Sequence, residues 1–410
     1  MKVLILGAGP AGCAAAYLLK NKGINNITIV EKEKLGGLSH TNFCENIPFE
    51  FGPQIMQTNN NFVRKIFERF LTQHPPKNGN YQPACLLNGS LKDTHDFPVT
   101  YKNVVSHTKS RKIRNELARI DLSRPDLSNF ENYVISRMGK TLYQTYVKNY
   151  NRKHWKVLPK KMSAEWARHM VFEVCQTPGL FPDRWQGHPG NYNPLWQGMI
   201  KGCKYLNFTA GISDDFKRVF INETDVSRNY DLVISTLPLS SRLDFINTCK
   251  IFVLFNEERE LMPSYANSYP NNFLFTRIIE YKQQFQVESP YTLLSFAFSW
   301  QKKRPEQRYI NEVRYYCRKI LKRKPVKFWV WNKENVYPLS TEKNITVANR
   351  IFEKLSCTNI VPFGRGGLYA YVSKNNCIQM ADYMAQNIDK LLMRGKAKLH
   401  IIKELRKQLG

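Results

Sequence analysis

A short apolar run, Lys2–Leu6, leads directly into Gly7-Ala8-Gly9-Pro10-Ala11-Gly12 and then into an Ala- and Leu-rich stretch that reads as a helix to about Lys20. Strand, glycine turn and helix in that order restrict the fold more than anything else in the chain. Gly7 permits the tight turn, Gly9 lets a pyrophosphate approach the backbone, and Gly12 lets the helix pack closely on the strand. The helix start then offers free N–H groups and a positive dipole end to phosphate oxygens. Asn26–Val30 reads as the second strand. Glu31 ends it, about 20 residues after the turn, where a carboxylate accepts from a ribose 2′-hydroxyl. The expectation is an α/β, doubly wound dinucleotide-binding domain.

At 410 residues, with 42% apolar composition, the chain is long enough for two or three domains. No apolar run approaches the ~18 residues of a membrane span. The opening run flows into glycines rather than a cleavage site, so it reads as a strand and not a signal peptide, and the protein is expected in the cytoplasm. Nine scattered cysteines form no CxxC pair, so neither a metal site nor a disulfide framework is indicated. The net charge of +28 is dispersed in clusters such as 109–114, 156–161 and 319–327. It reads first as a solvated Lys/Asn-rich surface. A membrane or other anionic surface is the functional alternative, and nucleic acid is not expected, because no nucleic-acid-binding motif accompanies the charge.

Further along, 102–169 is mainly helical, with apolar residues at three- and four-residue spacing in Asn129–Tyr150. Tyr230–Leu237 reads as a buried parallel strand rejoining the dinucleotide sheet. Ile251–Phe255, Phe273–Glu280, Tyr291–Trp300 and Val326–Trp331 read as strands of a separate antiparallel sheet, and Ile378–Leu392 as the final helix. The chain thus divides into a discontinuous Rossmann-type domain (1–60, 195–245 and 340–395), an inserted helical substrate-binding domain (102–170), an antiparallel sheet domain (61–101 and 246–339) and a basic tail (396–410).

Gly36-Gly37, just after Glu31, resembles the extended fingerprint of FAD-binding oxidoreductases of the amine-oxidase and glutathione-reductase type, which points to FAD rather than NAD. Six later segments extend the likeness. They are Phe51–Asn59 (FGPQIMQTN), Tyr143–Trp155 (YQTYVKNYNRKHW), Phe181–Pro189 (FPDRWQGHP), Phe275–Lys282 (FTRIIEYK), Tyr337-Pro338-Leu339 with Lys343-Asn344, and Phe363-Gly364-Arg365 with Tyr369 and Tyr371. In this order they resemble the UDP-galactopyranose mutase family.

That resemblance implies a pyranose–furanose mutase acting on a nucleotide sugar, expected to be UDP-linked and tested with a panel of UDP- and dTDP-sugars. N5 of reduced FAD would be the nucleophile at the anomeric carbon, with UDP leaving and returning. NAD(P)H is a candidate reductant and a homodimer a candidate assembly. By position, Tyr146 and Tyr150 match the uridine-stacking aromatics, Trp155 the tryptophan beside the sugar, and Arg277 a diphosphate-binding arginine. Tyr337 and Tyr371 match two phosphate-binding tyrosines, and Gly364 with Arg365 the cofactor-contacting turn. Arg277, Tyr337 and Tyr371 are the expected catalytic set. Tyr146 and Tyr150, four apart on a helix, are expected to share a face.

Three departures from the family pattern involve four positions. Two histidines become Gln54 and Gln57, which hydrogen-bond but do not titrate. The second diphosphate arginine, read without gaps, falls on Glu173, so either Arg168 or Arg184 replaces it or the ligand differs. The acid after the tyrosine-rich stretch becomes Ser373. These departures keep alive a second reading, an FAD-dependent oxidoreductase of the amine-oxidase superfamily with another substrate. A third, a non-catalytic flavoprotein associated with nucleic acid, rests on charge alone.

Overall fold

The computed structural model describes residues 1–71, 77–78, 81–167, 170–179 and 184–407. Its first sheet is parallel, in the order Lys204–Leu206, Asn26–Val30, Lys2–Leu6, Leu232–Ser235, Ile360–Pro362. Both faces are covered, which is why these strands are apolar runs rather than alternating ones. Helix Pro10–Asn21 packs on the sheet, and helix Lys374–Gln386 packs against it. The dinucleotide domain is therefore assembled from three distant parts of the chain.

The second sheet has seven strands: Lys327–Pro338, Phe245–Phe255, Thr292–Trp300, Arg277–Glu280, Ala266–Ser268, Ala84–Cys85, His95–Asp96. One face is core, where Cys249, Ile251, Ile278, Phe296 and Phe298 pack against Tyr309, Val313 and Tyr316 of helix Glu306–Tyr316. The alternate positions include Thr248, Lys250, Arg277 and Ser299, and they form the other face. Two strands are longer than their apolar runs suggest. Pairing from Phe245↔Pro338 to Leu254↔Lys327 gives backbone partners to polar residues that pattern alone leaves outside, and so draws Lys250 and Tyr337 into the sheet.

The helical unit has its own core, including Val104, Ile113, Phe130, Leu142 and Trp155. Its expected Asn129–Tyr150 helix is broken at Gly139, where φ is 82°, and again by a π turn over Tyr143–Val147. We propose the three-unit division with two shifts. Helix Asn61–Phe70 places Val63, Ile66 and Phe67 in the dinucleotide core, and Lys396–Lys407 is a helix placing Ile401, Ile402 and Leu405 there. Among the described residues no helix is long and apolar enough to cross a membrane.

Candidate active site

At the cofactor end, Gly7 has φ 96°, and its N–H donates to Val30 O at 2.8 Å. A Cβ on Gly12 would lie 1.9 Å from Gly7 O, whereas one on Gly9 would meet nothing within 4 Å. The turn is thus closed on its packed side and open on the other. Gly37 lies against that opening, 3.3 Å from the Gly9 Cα if given a Cβ, and Gly36 N–H donates to Ala8 O at 2.8 Å. The following helix has no side-chain cap and begins with Pro10, so its first-turn donors are left for a ligand. Glu31 accepts from the Ala8 and Glu33 N–H groups, each at 2.9 Å. Each carboxylate oxygen still has a second lone pair for a ribose hydroxyl. These residues fit a dinucleotide.

From the far edge of the same sheet, Gly364 (φ 67°) packs on Ala11 at the helix start. Arg365 donates to Val372 O from Nη2 at 2.8 Å, and its guanidinium lies 5.0 Å from the Tyr337 ring centre and 4.9 Å from that of Tyr371. The two tyrosine rings stack at 6.1 Å, inclined by 11°. Arg365 therefore joins the cofactor domain to Tyr337 on the antiparallel sheet.

Arg277 rises from that sheet and donates to the Tyr150 hydroxyl at 2.8 Å. Among the described residues it has no carboxylate partner, and the surrounding hydroxyls of Tyr150, Tyr337 and Tyr265 hold its guanidinium well in the charged form. Tyr150 stacks on His154 at 6.2 Å. His154 Nδ1 lies 3.3 Å from Ser299 Oγ on the sheet, and its ring meets Trp155 and Tyr337 edge-on. Burial, followed by Arg277 and nearby lysines, pushes the His154 imidazolium down to about 3, so it is neutral at physiological pH. Trp155 is buried between Trp166 and Tyr337. Tyr146 behaves differently from Tyr150. It is buried, and its hydroxyl lies 3.0 Å from His95 Nδ1. The π turn, with its larger residue count per turn, breaks the four-residue register, so the two rings reach different partners.

Residues 145–323 match the UDP-galactopyranose mutase family, and residues 5–70 match an NAD(P)-binding Rossmann-like domain. The dTDP-fucopyranose mutase of Escherichia coli is 23% identical over 408 residues, covering 94% of this chain and 97% of that one. The crystal structure of reduced UDP-galactopyranose mutase has a TM-score of 0.77 at 18% identity, covering 100% of this chain and 99% of its own. The matched segment and the mutase relatives together support this chain as a divergent member of the UDP-galactopyranose mutase family. It is an isomerase on a flavoprotein fold, and FAD is the cofactor that its glycine cradle fits. The probable UDP-galactopyranose mutase of Klebsiella pneumoniae is 22% identical over 54% of this chain and 56% of its own. Putrescine oxidase bound to putrescine shares the fold at 13% identity, with a TM-score of 0.57 over 95% of this chain and 98% of its own.

The departures from the family pattern have local explanations. Glu173 is ion-paired with Arg137 of the helical unit, so its carboxylate is neutralised. Arg184 is exposed at the start of strand Trp185–His188, whereas Arg168 and Phe181–Asp183 lie outside the described residues. Ser373 caps helix Lys374–Gln386, accepting from Asn376 N–H at 3.2 Å, a task that suits a hydroxyl as well as an acid. Gln54 is clamped. Ser39 Oγ donates to its Oε1 at 2.9 Å, while Lys374 Nζ (at 2.5 Å) and the Tyr192 hydroxyl both donate to its carbonyl. Gln57 lies in strand Met56–Thr58, opposite Gln186. Sequence reasoning missed His154, Lys374 and Lys250. For Lys250 a signal was present, a lysine directly before the apolar run Ile251–Phe255 and within strand Phe245–Phe255.

Proposed function

We propose that the protein interconverts the pyranose and furanose forms of a pyrimidine nucleoside diphosphate sugar. The observation that carries this reading is Arg277, a half-buried guanidinium held by tyrosine hydroxyls and by no carboxylate among the described residues, between the cofactor-side Arg365 and the Tyr150 helix. Such a group is arranged for an anion supplied by a ligand.

Reduced FAD, held by the glycine turn and Glu31, would supply a nucleophile for the anomeric carbon, so that ring exchange would need no net redox change. The residues around it manage the diphosphate. Arg277 has five donors and spends one on Tyr150, leaving a fork for phosphate oxygens as negative charge builds on the departing diphosphate. Because the Tyr150 hydroxyl accepts from Arg277, its own proton is free to donate. Tyr337 and Tyr371 are proposed to add hydroxyl contacts, and their stacked rings, braced by Arg365, keep those hydroxyls near the cofactor. Tyr150 is the better-placed of the two helix tyrosines for stacking on the base, since Tyr146 is committed to His95.

The test is interconversion of UDP-galactopyranose and dTDP-fucopyranose with their furanose forms by dithionite-reduced, FAD-loaded protein. Activity with either, absent from the oxidised protein, supports the reading. Inactivity with a broader UDP- and dTDP-sugar panel, together with flavin bleaching by an amine, would shift the assignment to an oxidoreductase.

A further inference from the structure

Two cations, the buried Lys250 and the half-buried Arg277, flank a single alanine. In the antiparallel sheet, Lys250 pairs with Ala297 from one side and Arg277 pairs with the same Ala297 from the other. Directly paired residues send their side chains to the same face. The ammonium and guanidinium therefore rise together, two strand spacings apart, about 10 Å at the backbone. Between them stands only a methyl group, which leaves the gap open.

The same face carries Thr248 paired with Ser299, and Ser299 reaches His154 on the Tyr150 helix. It is thus the face that looks onto the candidate active site, while Cys249 and Ile251 point into the core. Lys250 is 4% exposed, and its ammonium has no hydrogen bond or ion pair among the described residues. The other buried lysines among the described residues have acceptors: Lys398 donates to Thr358 O at 2.6 Å, Lys374 to Gln54 O at 2.5 Å and Lys282 to Ser289 O at 2.6 Å. Taking a charge out of water costs several kcal/mol unless an opposite charge meets it, and a neighbouring guanidinium makes the cost larger. Burial, then Arg277, accordingly pushes Lys250 down to about 7. Glu173, at the position where the ungapped family pattern expects a second cation, is spent on Arg137.

We propose that Lys250 is the second cation of the phosphate site, so that Lys250 and Arg277 hold a diphosphate between them across Ala297. The proposal rests on the nucleotide-sugar reading for the identity of the anion, though the paired cations can be tested without the sugar.

The experiment titrates inorganic pyrophosphate, UDP and uridine into FAD-loaded wild-type, Lys250→Met and Lys250→Arg proteins, and records flavin content, melting temperature and flavin reduction potential. Lys250→Met has the shape of lysine and relieves a buried charge, so it is expected to fold. Loss of one charge-assisted contact weakens pyrophosphate and UDP roughly 10- to 100-fold, leaves uridine unchanged, and is largely restored in Lys250→Arg. Pyrophosphate and UDP affinities within twofold of wild type in Lys250→Met overturn the proposal. So does a shifted flavin potential with unchanged pyrophosphate affinity, which would place Lys250 on the cofactor. If wild type binds pyrophosphate through Lys250 but neither UDP nor any nucleotide sugar, the paired cations stand and the substrate reading falls. If it binds no diphosphate at all, both fall.

Discussion

Arg277 and Tyr150 meet at 2.8 Å across the junction between the antiparallel sheet and the helical unit, the guanidinium donating to the hydroxyl. This contact fixes the distance between the strand that carries the charge and the helix that carries the aromatic ring. Geometry of that kind is needed where one ligand must touch both.

Removing the fork while keeping the charge separates these tasks. In Arg277→Lys, UDP affinity is expected to fall roughly 10- to 100-fold, because an ammonium replaces a planar bidentate donor. Tyr150→Phe is expected to cost less, and the double variant less than the sum of the two, since one contact joins them. Calorimetric titration of UDP into all four proteins measures this coupling, and strictly additive losses would argue against it.

Two glycines three residues apart should fail in different ways. Gly9→Ala adds a methyl to open space, so the apoprotein should keep its stability to within about 1 kcal/mol while losing flavin. Gly12→Ala drives a methyl into Gly7 O and should yield little folded protein. Melting temperature and the ratio of flavin to protein absorbance distinguish the two, and normal flavin content in Gly9→Ala would exclude it from the phosphate site.

Stability should carry a pH signature from Glu280. Its carboxylate is fully buried and accepts from Met262 N–H at 2.8 Å and Gln283 Nε2 at 2.8 Å, yet burial outweighs these bonds and raises it from 4.5 to about 7. The folded state therefore favours the protonated acid. Its contribution is complete below about pH 4.5 and is lost as the pH rises through about 7, a swing of roughly 3 kcal/mol. Glu280→Gln should flatten that slope and be the more stable protein at pH 8. Urea midpoints at pH 5 and pH 8 that change equally in both proteins would refute this.

Glu173→Gln should leave UDP affinity within twofold of wild type, because the carboxylate is already neutralised by Arg137. The expected change is a small loss of stability from the broken pair, read as a lowered melting temperature. A several-fold gain in UDP affinity would mean that Glu173 faces the diphosphate after all.

The cofactor end was legible because backbone geometry dictates its residues. A turn that closes on Gly7 O admits only glycine at 12, and a carboxylate after the second strand has a fixed neighbourhood. Arg277 was legible because its segment FTRIIEYK resembles the family pattern at the position of a diphosphate-binding arginine. Lys250 sits in an apolar strand and went unread, since its meaning depends on Ala297 placing it beside Arg277, a relation between strands far apart in the chain. The π turn at Tyr143–Val147 leaves no mark in side-chain spacing, so the register of Tyr146 against Tyr150 was unreadable. Ser373 as a cap was readable in principle from Asn376 three residues on, which bonds back to it.

The dinucleotide sheet has a consequence for biosynthesis. Strand Lys2–Leu6 pairs with Leu232–Ser235, which in turn pairs with Ile360–Pro362, and Gly364 packs on the helix that follows the first strand. A ribosome that has translated three-quarters of the chain has therefore made the phosphate turn without the segment that braces it. Completion of the phosphate turn must thus wait for residues 360–364, a contact of long sequence separation of the kind that slows folding.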